Sequence, residues 1–402
     1  MKRFALALLA VVAAAPLCAQ FVQVKGTAFV KPDGQTLHLK GTSLGNWLVP
    51  EGYMWRFKGG PQSPREIEAL VETLLGPDQA AAFWHEYRER YVTAADINFL
   101  AQSGCNTLRV PLHYKFFLEE KGEGFRLLDR VVEWSRAAGL WLVLDLHCAP
   151  GGQTGTNIDD SRGYPWLFES AAAERDLMTV WRNIARHYRD EPVVLGYDLL
   201  NEPLPSFPGW EKYRPLVEPL LKRVTEQVRA VDPNHIVFLT GVNWDSDFKL
   251  LGAPFAPNVA YTFHKYWMPP TVESIREYLD FREKHHVPIW IGETGENKDE
   301  WVAAFRTLLD AQDIGWTFWP YKKMESTAGF VAFAPPVHWA EIVAFAKLSP
   351  GTGTDNVKAN LAARPSQAVI EESFADLLRQ IEFAHGTPNR GYIGALGLTV
   401  PK

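Results

Sequence analysis

The stretch VLGYDLLNEP, residues 194–203, decides how the rest of the chain is read. It begins as a run of apolar and aromatic side chains and stops on Asn201, Glu202 and Pro203. Runs without polar alternation suit parallel strands covered on both faces. A carboxylate at the mouth of such a packed interior is costly unless it is hydrogen-bonded, paired or used. Proline cannot donate to a strand ladder, so the run ends there.

Seven further runs share the pattern. They are TLHLKGTS (36–43), NTLRVPL (106–112), LWLVLDLH (140–147), HIVFLTG (235–241), VAYTFHKY (259–266), VPIWIGE (287–293) and IGWTFW (314–319). Amphipathic segments lie between them, such as DRVVEWSRAAG (129–139) with its glycine stop and VEPLLKRVTEQVRAVDP (217–233). With VVLGYDLL (193–200), eight strands alternating with helices predict a single-domain α/β protein, a (β/α)₈ TIM barrel over 20–348. An open doubly wound sheet is the competitor, but no strand runs into a Gly-x-Gly-x-x-Gly turn.

The hairpin-like FVQVKGTAFVKPDG (21–34) precedes the first strand and is expected to plug the barrel floor. The connections 44–103 and 148–170 are long, as functional loops are. The tail 349–402 opens on SPGTGTDN, read as a flexible joint, and carries a helical pattern over 366–383. That helix is expected to be the last barrel helix or a cap on it, because so short a tail buries little core of its own.

Composition narrows the function. Net charge is −6 and no basic block occurs, so neither nucleic acid nor an anionic membrane is an expected partner. The 15 tryptophans and 13 tyrosines exceed what a core usually needs and suggest a cleft whose flat faces stack on sugar rings. Lys2 and Arg3 precede an apolar run (4–15), then Pro16 and small residues near Ala19, an export signal over 1–19. The protein is therefore expected to be secreted or periplasmic. Ala15-Pro16-Leu17 before Cys18 does not suit a lipoprotein anchor, and no later segment could span a membrane. Cys105 and Cys148 sit in or beside apolar runs and are expected to be buried free thiols.

Chemistry in this fold sits at the C-terminal ends of the strands. Here those ends carry Arg109, then Asp145 and His147, then Asn201 and Glu202, then His264 and Tyr266, then Glu293, then Trp319. One such residue would be a salt bridge or a cap. Six strands supplying them to one rim is not packing.

With these residues assembled, the chain resembles the family 5 glycoside hydrolases, cellulase-like retaining enzymes on (β/α)₈ barrels, over residues 30–345. The resemblance rests on the arginine of the second strand, the histidine of the third, Asn-Glu-Pro of the fourth, His-x-Tyr of the sixth, Gly-Glu of the seventh and tryptophan of the eighth. It implies that Glu202 is the acid/base and Glu293 the nucleophile, with Arg109, His147, Asn201, His264, Tyr266 and Trp319 serving the substrate. GTSLGNWLVPEGYMW (41–55) is similar to the exo-β-1,3-glucanase branch, which has Gly-Gly-Trp-Leu; here Asn46 stands at the second glycine, so that branch's substrate is not carried over.

The chemistry asks for the same residue types. Retaining cleavage needs two carboxyls about 5–5.5 Å apart, one protonated and one ionised. Arg109 beside Glu293 would keep that carboxylate charged, and Tyr266 could donate to it. Asn201 is expected at the sugar 2-hydroxyl, and Trp319 beneath the reacting sugar. Asp145 is read as a brace for His147 or Arg109. Trp47, Trp55, Trp166 and Trp267 lie in rim loops as candidate stacking platforms, while Glu51, Asp159 and Asp160 either bind hydroxyls or are solvated. No cofactor or metal is expected, since the first strand ends Gly41-Thr42-Ser43 without ligands. The expected substrate is a β-linked glucan or glucoside. A β-mannan hydrolase of the same fold, a metal-dependent barrel hydrolase and a non-catalytic carbohydrate-binding barrel are the alternatives.

Overall fold

The computed structural model describes residues 20–348 and 353–401. The export signal and Cys18 lie outside the described residues, as does part of the 349–356 joint. The hairpin strands β1 (Gln23–Lys25) and β2 (Ala28–Val30) pair antiparallel. Eight parallel strands follow: β3 (Lys40–Ser43), β4 (Thr107–His113), β5 (Trp141–Cys148), β6 (Val194–Asp198), β7 (Ile236–Thr240), β8 (Val259–His264), β9 (Ile289–Gly295) and β10 (Gly315–Trp319). They close in chain order, with β10 pairing β3. All eight runs singled out in the sequence are barrel strands.

The strands are buried on both faces, which is why they read as continuous apolar runs. Gly196 in the opening stretch is required by contact: a Cβ there would lie 2.3 Å from the Ile236 carbonyl oxygen of β7. Alternation gives the barrel interior three levels. Along β5 the inward positions are Val143, Asp145 and His147, and along β8 they are Ala260, Thr262 and His264. Val143 and Ala260 belong to an apolar floor with Leu195, Phe238 and Trp290. The hairpin covers that floor, with the Phe29 ring 5.8 Å from that of Phe238. Charged and polar side chains occupy the upper levels.

The helices are α1 (Pro64–Leu75), α2 (Pro77–Tyr91), α3 (Ala94–Ser103), α4 (Glu123–Ala138), α5 (Ala171–Tyr188), α6 (Val217–Arg229), α7 (Arg276–His285), α8 (Asp299–Ala311), α9 (Trp339–Ala346), α10 (Thr354–Ala363), α11 (Gln367–Gln380) and α12 (Arg390–Ala395). Strict alternation fails once. The connection 241–258 between β7 and β8 contains no helix and turns back on itself instead. The tail differs in detail from its reading. Helix α11, the 366–383 pattern, caps α1, α2 and α9, while the short α12 lies on α8. The end of the chain reaches α3, where the Thr399 amide donates to the Ser103 carbonyl at 3.0 Å. A small sheet of β11 (Lys322–Met324), β12 (Val331–Phe333) and β13 (Thr387–Pro388) ties the tail to the barrel mouth. Buried Lys322 joins the two, donating to the Tyr91 and Ile381 carbonyls at 2.8 Å each.

Cys105 and Cys148 are buried free thiols. Among the described residues no helix is long and apolar enough to cross a membrane.

Candidate active site

At the centre of the upper level stands Arg109, fully buried on β4. Its guanidinium meets Asp145 at 3.1 Å, Asp198 at 3.0 Å, Glu293 at 2.8 Å and the side-chain oxygen Oδ1 of Asn201 at 2.8 Å. One cation thus serves three carboxyls, too little charge to ionise all of them in a dry interior. Burial pushes Asp145 and Asp198 each up to about 7, with Arg109 opposing. Asp145 braces both neighbours: its second oxygen lies 2.8 Å from His147 Nδ1. Burial in turn lowers His147 to about 4, so the imidazole is neutral.

Above this layer opens a cleft of about 570 Å³, lined by Glu51, Tyr53, His147, Glu202, Trp244, His264, Tyr266, Trp267, Glu293 and Trp319, among others. Six of the eight sequence-predicted residues line it. Arg109 and Asn201 lie just beneath, and Arg109 reaches the cleft only through its partners.

Glu293 is held from two sides, by Arg109 on one oxygen and by the Tyr266 hydroxyl, which donates at 2.7 Å, on the other. Glu202 is placed differently. Strand β6 ends at Asp198, two residues earlier than its pattern suggested, so Glu202 stands in a loop with a left-handed φ of 44°. Non-glycine residues adopt that conformation only where their surroundings impose it. Buried Gln153 does so: its side-chain amide donates to the carbonyls of His147 and Asn201, at 2.8 and 2.9 Å, and its main-chain carbonyl accepts the Leu204 amide. Glu202 Oε1 lies 2.8 Å from His264 Nδ1.

One oxygen of Glu202 and one of Glu293 come within 4.8 Å of each other. Burial raises both carboxyls. At Glu202 the charge of Glu293 adds to burial and lifts it well above the usual range, whereas at Glu293 Arg109, His147 and Tyr266 oppose burial. A proton shared by the pair therefore resides on Glu202 and leaves Glu293 ionised. Such a pair can deliver a proton on one side of the gap and present an anionic oxygen on the other. Glu202, His264 and Glu293 are also close enough together to be metal ligands. His264 Nδ1 and Glu202 Oε1 are hydrogen-bonded to each other, both Glu293 oxygens are taken by Arg109 and Tyr266, and a cation there would face the Arg109 guanidinium, so the set fits two separately held carboxyls better.

Trp319 forms part of the cleft floor. Its ring lies parallel to His147, 5.6 Å between centroids, and its indole N–H donates to the Tyr53 hydroxyl at 2.7 Å. Gly45 lies under it; a Cβ there would come within 2.3 Å of the indole. Next to Gly45, Asn46 adopts a φ of 65° and its side-chain oxygen accepts the Glu51 amide and the Trp55 indole. It shapes the loop from below.

Several rim readings need correction. Trp47 and Trp55 are buried, their indoles bonded to the Arg88 carbonyl and to Asn46, so neither can stack on a ligand. Trp166 is exposed but does not line the cleft; Trp267, 71% exposed, does. Asp159 is a buried loop brace accepting the amides of Gln153 and Thr154, and Asp160 pairs with His113 and Arg65, so neither is solvated. Glu51 is buried and lines the cleft, with Oε1 lacking a hydrogen-bond partner. The sequence reading missed Asp198, Gln153, Tyr53, Trp244 and Asp245. Asp198 alone left a trace, as a charged residue inside the opening apolar run.

Residues 72–325 match the family model described as Cellulase (glycosyl hydrolase family 5), a span containing all eight predicted site residues. A β-xylosidase of Phanerodontia chrysosporium is 32% identical over 348 residues, 75% of this chain and 71% of the relative. Endoglucanase C of Acetivibrio thermocellus is 25% identical over 316 residues, 61% of this chain and 89% of the relative. The structure of a rutinosidase from Aspergillus niger shares the fold with a TM-score of 0.58 at 21% identity, covering 73% of this chain and 92% of that one. Model and relatives agree on one chemistry, the hydrolysis of glycosidic bonds. This chain belongs to glycosyl hydrolase family 5 and is an O-glycosyl hydrolase.

Proposed function

We propose that the protein is a retaining β-glycosidase in which Glu202 is the acid/base and Glu293 the nucleophile, acting on β-linked glucans or short glucosides. The observation that carries this reading is that one oxygen of Glu202 and one of Glu293 lie within 4.8 Å of each other, an approach that suits the close pairs of retaining enzymes, about 5–5.5 Å between carboxyls, better than the about 6.5–9.5 Å of inverting ones. Glu293 attacks the anomeric carbon while Glu202 protonates the leaving oxygen. Once Glu293 is esterified its charge is gone, so the Glu202 carboxyl becomes more acidic and can take a proton from the incoming water. Arg109 and Tyr266 hold the nucleophile ionised, and Trp319 supports the sugar.

Glu51, Tyr53, Glu296 and Trp267 also line the cleft, with Lys323 pairing Glu296 at 2.5 Å. Relatives named endoglucanase and β-xylosidase leave two sugars in play, and the identity of 32% to the latter favours a β-xyloside as the second reading.

The test is stereochemical. Proton NMR during hydrolysis of aryl β-glucoside, aryl β-xyloside and laminarin should show the β-anomer formed first and mutarotating later. First appearance of the α-anomer would overturn the double displacement. The relative rates on glucoside and xyloside decide the sugar.

A further inference from the structure

The loop that stands in place of the fifth helix holds a buried acid with no part in the chemistry described so far. Asp245 is 1% exposed. Its Oδ2 lies 3.6 Å from Nε2 of His264, and that nitrogen has no hydrogen-bond partner. Its Oδ1 accepts the Gly241 amide at 2.5 Å, and its carbonyl accepts the His264 amide at 2.8 Å. One residue thus holds His264 by its main chain and faces its unpartnered nitrogen with its side chain. The other nitrogen meets Glu202.

The backbone is bent to bring this about. Asn243, Trp244 and Asp245 are successive left-handed residues, with φ of 56°, 61° and 53°. L-residues adopt that conformation at a steric cost, with Asn and Asp the most tolerant. Strain of this kind persists where the surroundings impose it, and it clusters at functional sites. Here the Val242–Asp247 bridge closes the turn, and the Tyr278 hydroxyl donates to the Ser246 carbonyl at 2.8 Å.

Burial keeps His264 neutral, so it carries one N–H and one lone pair. Two polarities are open to it. If Nδ1 accepts, the Glu202 proton is drawn onto Oε1 and spent on the histidine. If Nδ1–H donates, Oε1 is the acceptor and the proton is left to Oε2.

We propose that Asp245 is a positioning residue that sets the second polarity: its carboxyl O–H donates to His264 Nε2, Nδ1–H donates to Glu202 Oε1, and the transferable proton stays on Glu202 Oε2. The proposal rests on Glu202 being the acid/base. Burial, reinforced by the charge of Asp198, raises the Asp245 carboxyl well above its ordinary value against the Thr240 hydroxyl and Gly241 amide, so it retains the proton it donates. The 3.6 Å gap is long for a hydrogen bond, as such contacts are before substrate tightens a site.

Two measurements test it. In ¹⁵N-histidine-labelled protein at neutral pH, His264 should carry its proton on Nδ1; a proton on Nε2 overturns the proposal whatever any variant does. Asp245→Leu, similar in volume but without a donor, should lower kcat/KM on glycosides with poor leaving groups roughly 10- to 100-fold, mostly in kcat, and on dinitrophenyl glycosides less than about threefold. Asp245→Asn, whose amide can donate to Nε2 and accept from Gly241, should return to within about fivefold of the parent. An Asn variant as poor as Leu, or equal Leu losses on both substrate types, overturns it. Full turnover of natural glycosides by Glu202→Gln would instead remove the acid/base reading, while the His264 tautomer would still report on Asp245 separately.

Discussion

Glu293 and Glu202 face one another across a single cleft, yet the parts of the barrel that carry them are built differently. Glu293 lies within strand β9, and its partners Arg109, on β4, and Tyr266, just past β8, stand on or beside the barrel wall. Glu202 stands beyond the end of β6 on a backbone bent to φ 44°, held by Gln153 from one loop and by His264 backed by a second loop. The first carboxyl is fixed by strands and a charge, the second by loops and neutral hydrogen bonds. Environment, not residue type, divides the labour, because a carboxyl beside a guanidinium sheds its proton and one beside another carboxylate in a dry pocket keeps it. The strand-borne cage is a property of the barrel. The loop-borne acid is adjustable, and substrate variation has room to act there.

The hardest test of that division removes each carboxyl in turn. Glu293→Ala should lower turnover by roughly 10⁴-fold or more on every glycoside, about 5.5 kcal/mol of barrier, because the proposed nucleophile is then gone. Glu202→Ala should lose roughly 10²–10⁴-fold in kcat/KM on poor leaving groups and under tenfold in kcat/KM on dinitrophenyl glycosides, which need little protonation in the first step, while kcat falls on both because the second step lacks its base. Steady-state rates on both substrate types read the difference directly. Equal losses in the two variants, or the opposite leaving-group dependence, would break the comparison.

Arg109→Met comes next and probes the cage alone. It leaves Asp145, Asp198 and Glu293 without their common cation, and uncovering a buried charge in this way costs roughly 3–5 kcal/mol of stability. Urea denaturation should show it as a lower midpoint. The sign on activity follows from the same contact. Arg109 favours the ionised form of Glu293, so its loss raises that carboxyl and the acid limb of the kcat/KM profile moves to higher pH. The alkaline limb, which the proposal assigns to Glu202, is raised chiefly by burial and the Glu293 charge, with Arg109 opposing them from farther off, and it should move less. A profile that shifts as a unit would mean that the two carboxyls are not held independently.

Much of this architecture was legible in the sequence because barrel strands are dictated by local pattern. A run such as LWLVLDLH can be buried on both faces only in a covered parallel sheet, and its terminal Asp and His must then emerge at the mouth. The strand-borne half of the site followed from those ends. Of the loop-borne half, Glu202 and Asn201 were announced by Asn-Glu-Pro, but the residues that hold them in place were not. Gln153 and Asp245 lie in stretches without periodicity, where the partner is fixed by chain reversal and not by spacing, and a left-handed turn built on Asn243, Trp244 and Asp245 carries no glycine to announce it. Trp47 and Trp55 misled for the converse reason. They sit in a long rim connection, but that connection has its own core, in which the Trp55 ring stacks on Phe57 at 5.9 Å and lies 5.3 Å from Tyr87. Aromatic residues in a long loop signal folding of the loop as readily as contact with a ligand.

The smallest change that still separates the two regions is Tyr266→Phe, which deletes one hydroxyl and nothing else. That hydroxyl donates to Glu293 at 2.7 Å and favours its ionised form. A hydrogen bond to a charged group contributes about 1.5–3 kcal/mol, so kcat should fall by roughly 10- to 150-fold. Without the donor Glu293 takes up a proton more readily, and the acid limb of kcat/KM therefore moves upward in pH. Glu202 has no bond to Tyr266, so the dependence of rate on leaving-group pKa should keep the parent's slope. Measuring the pH profile and that slope on the same variant tests both statements. A steeper slope with an unmoved acid limb would assign Tyr266 to the acid and dissolve the distinction between the strand-borne and loop-borne carboxyls.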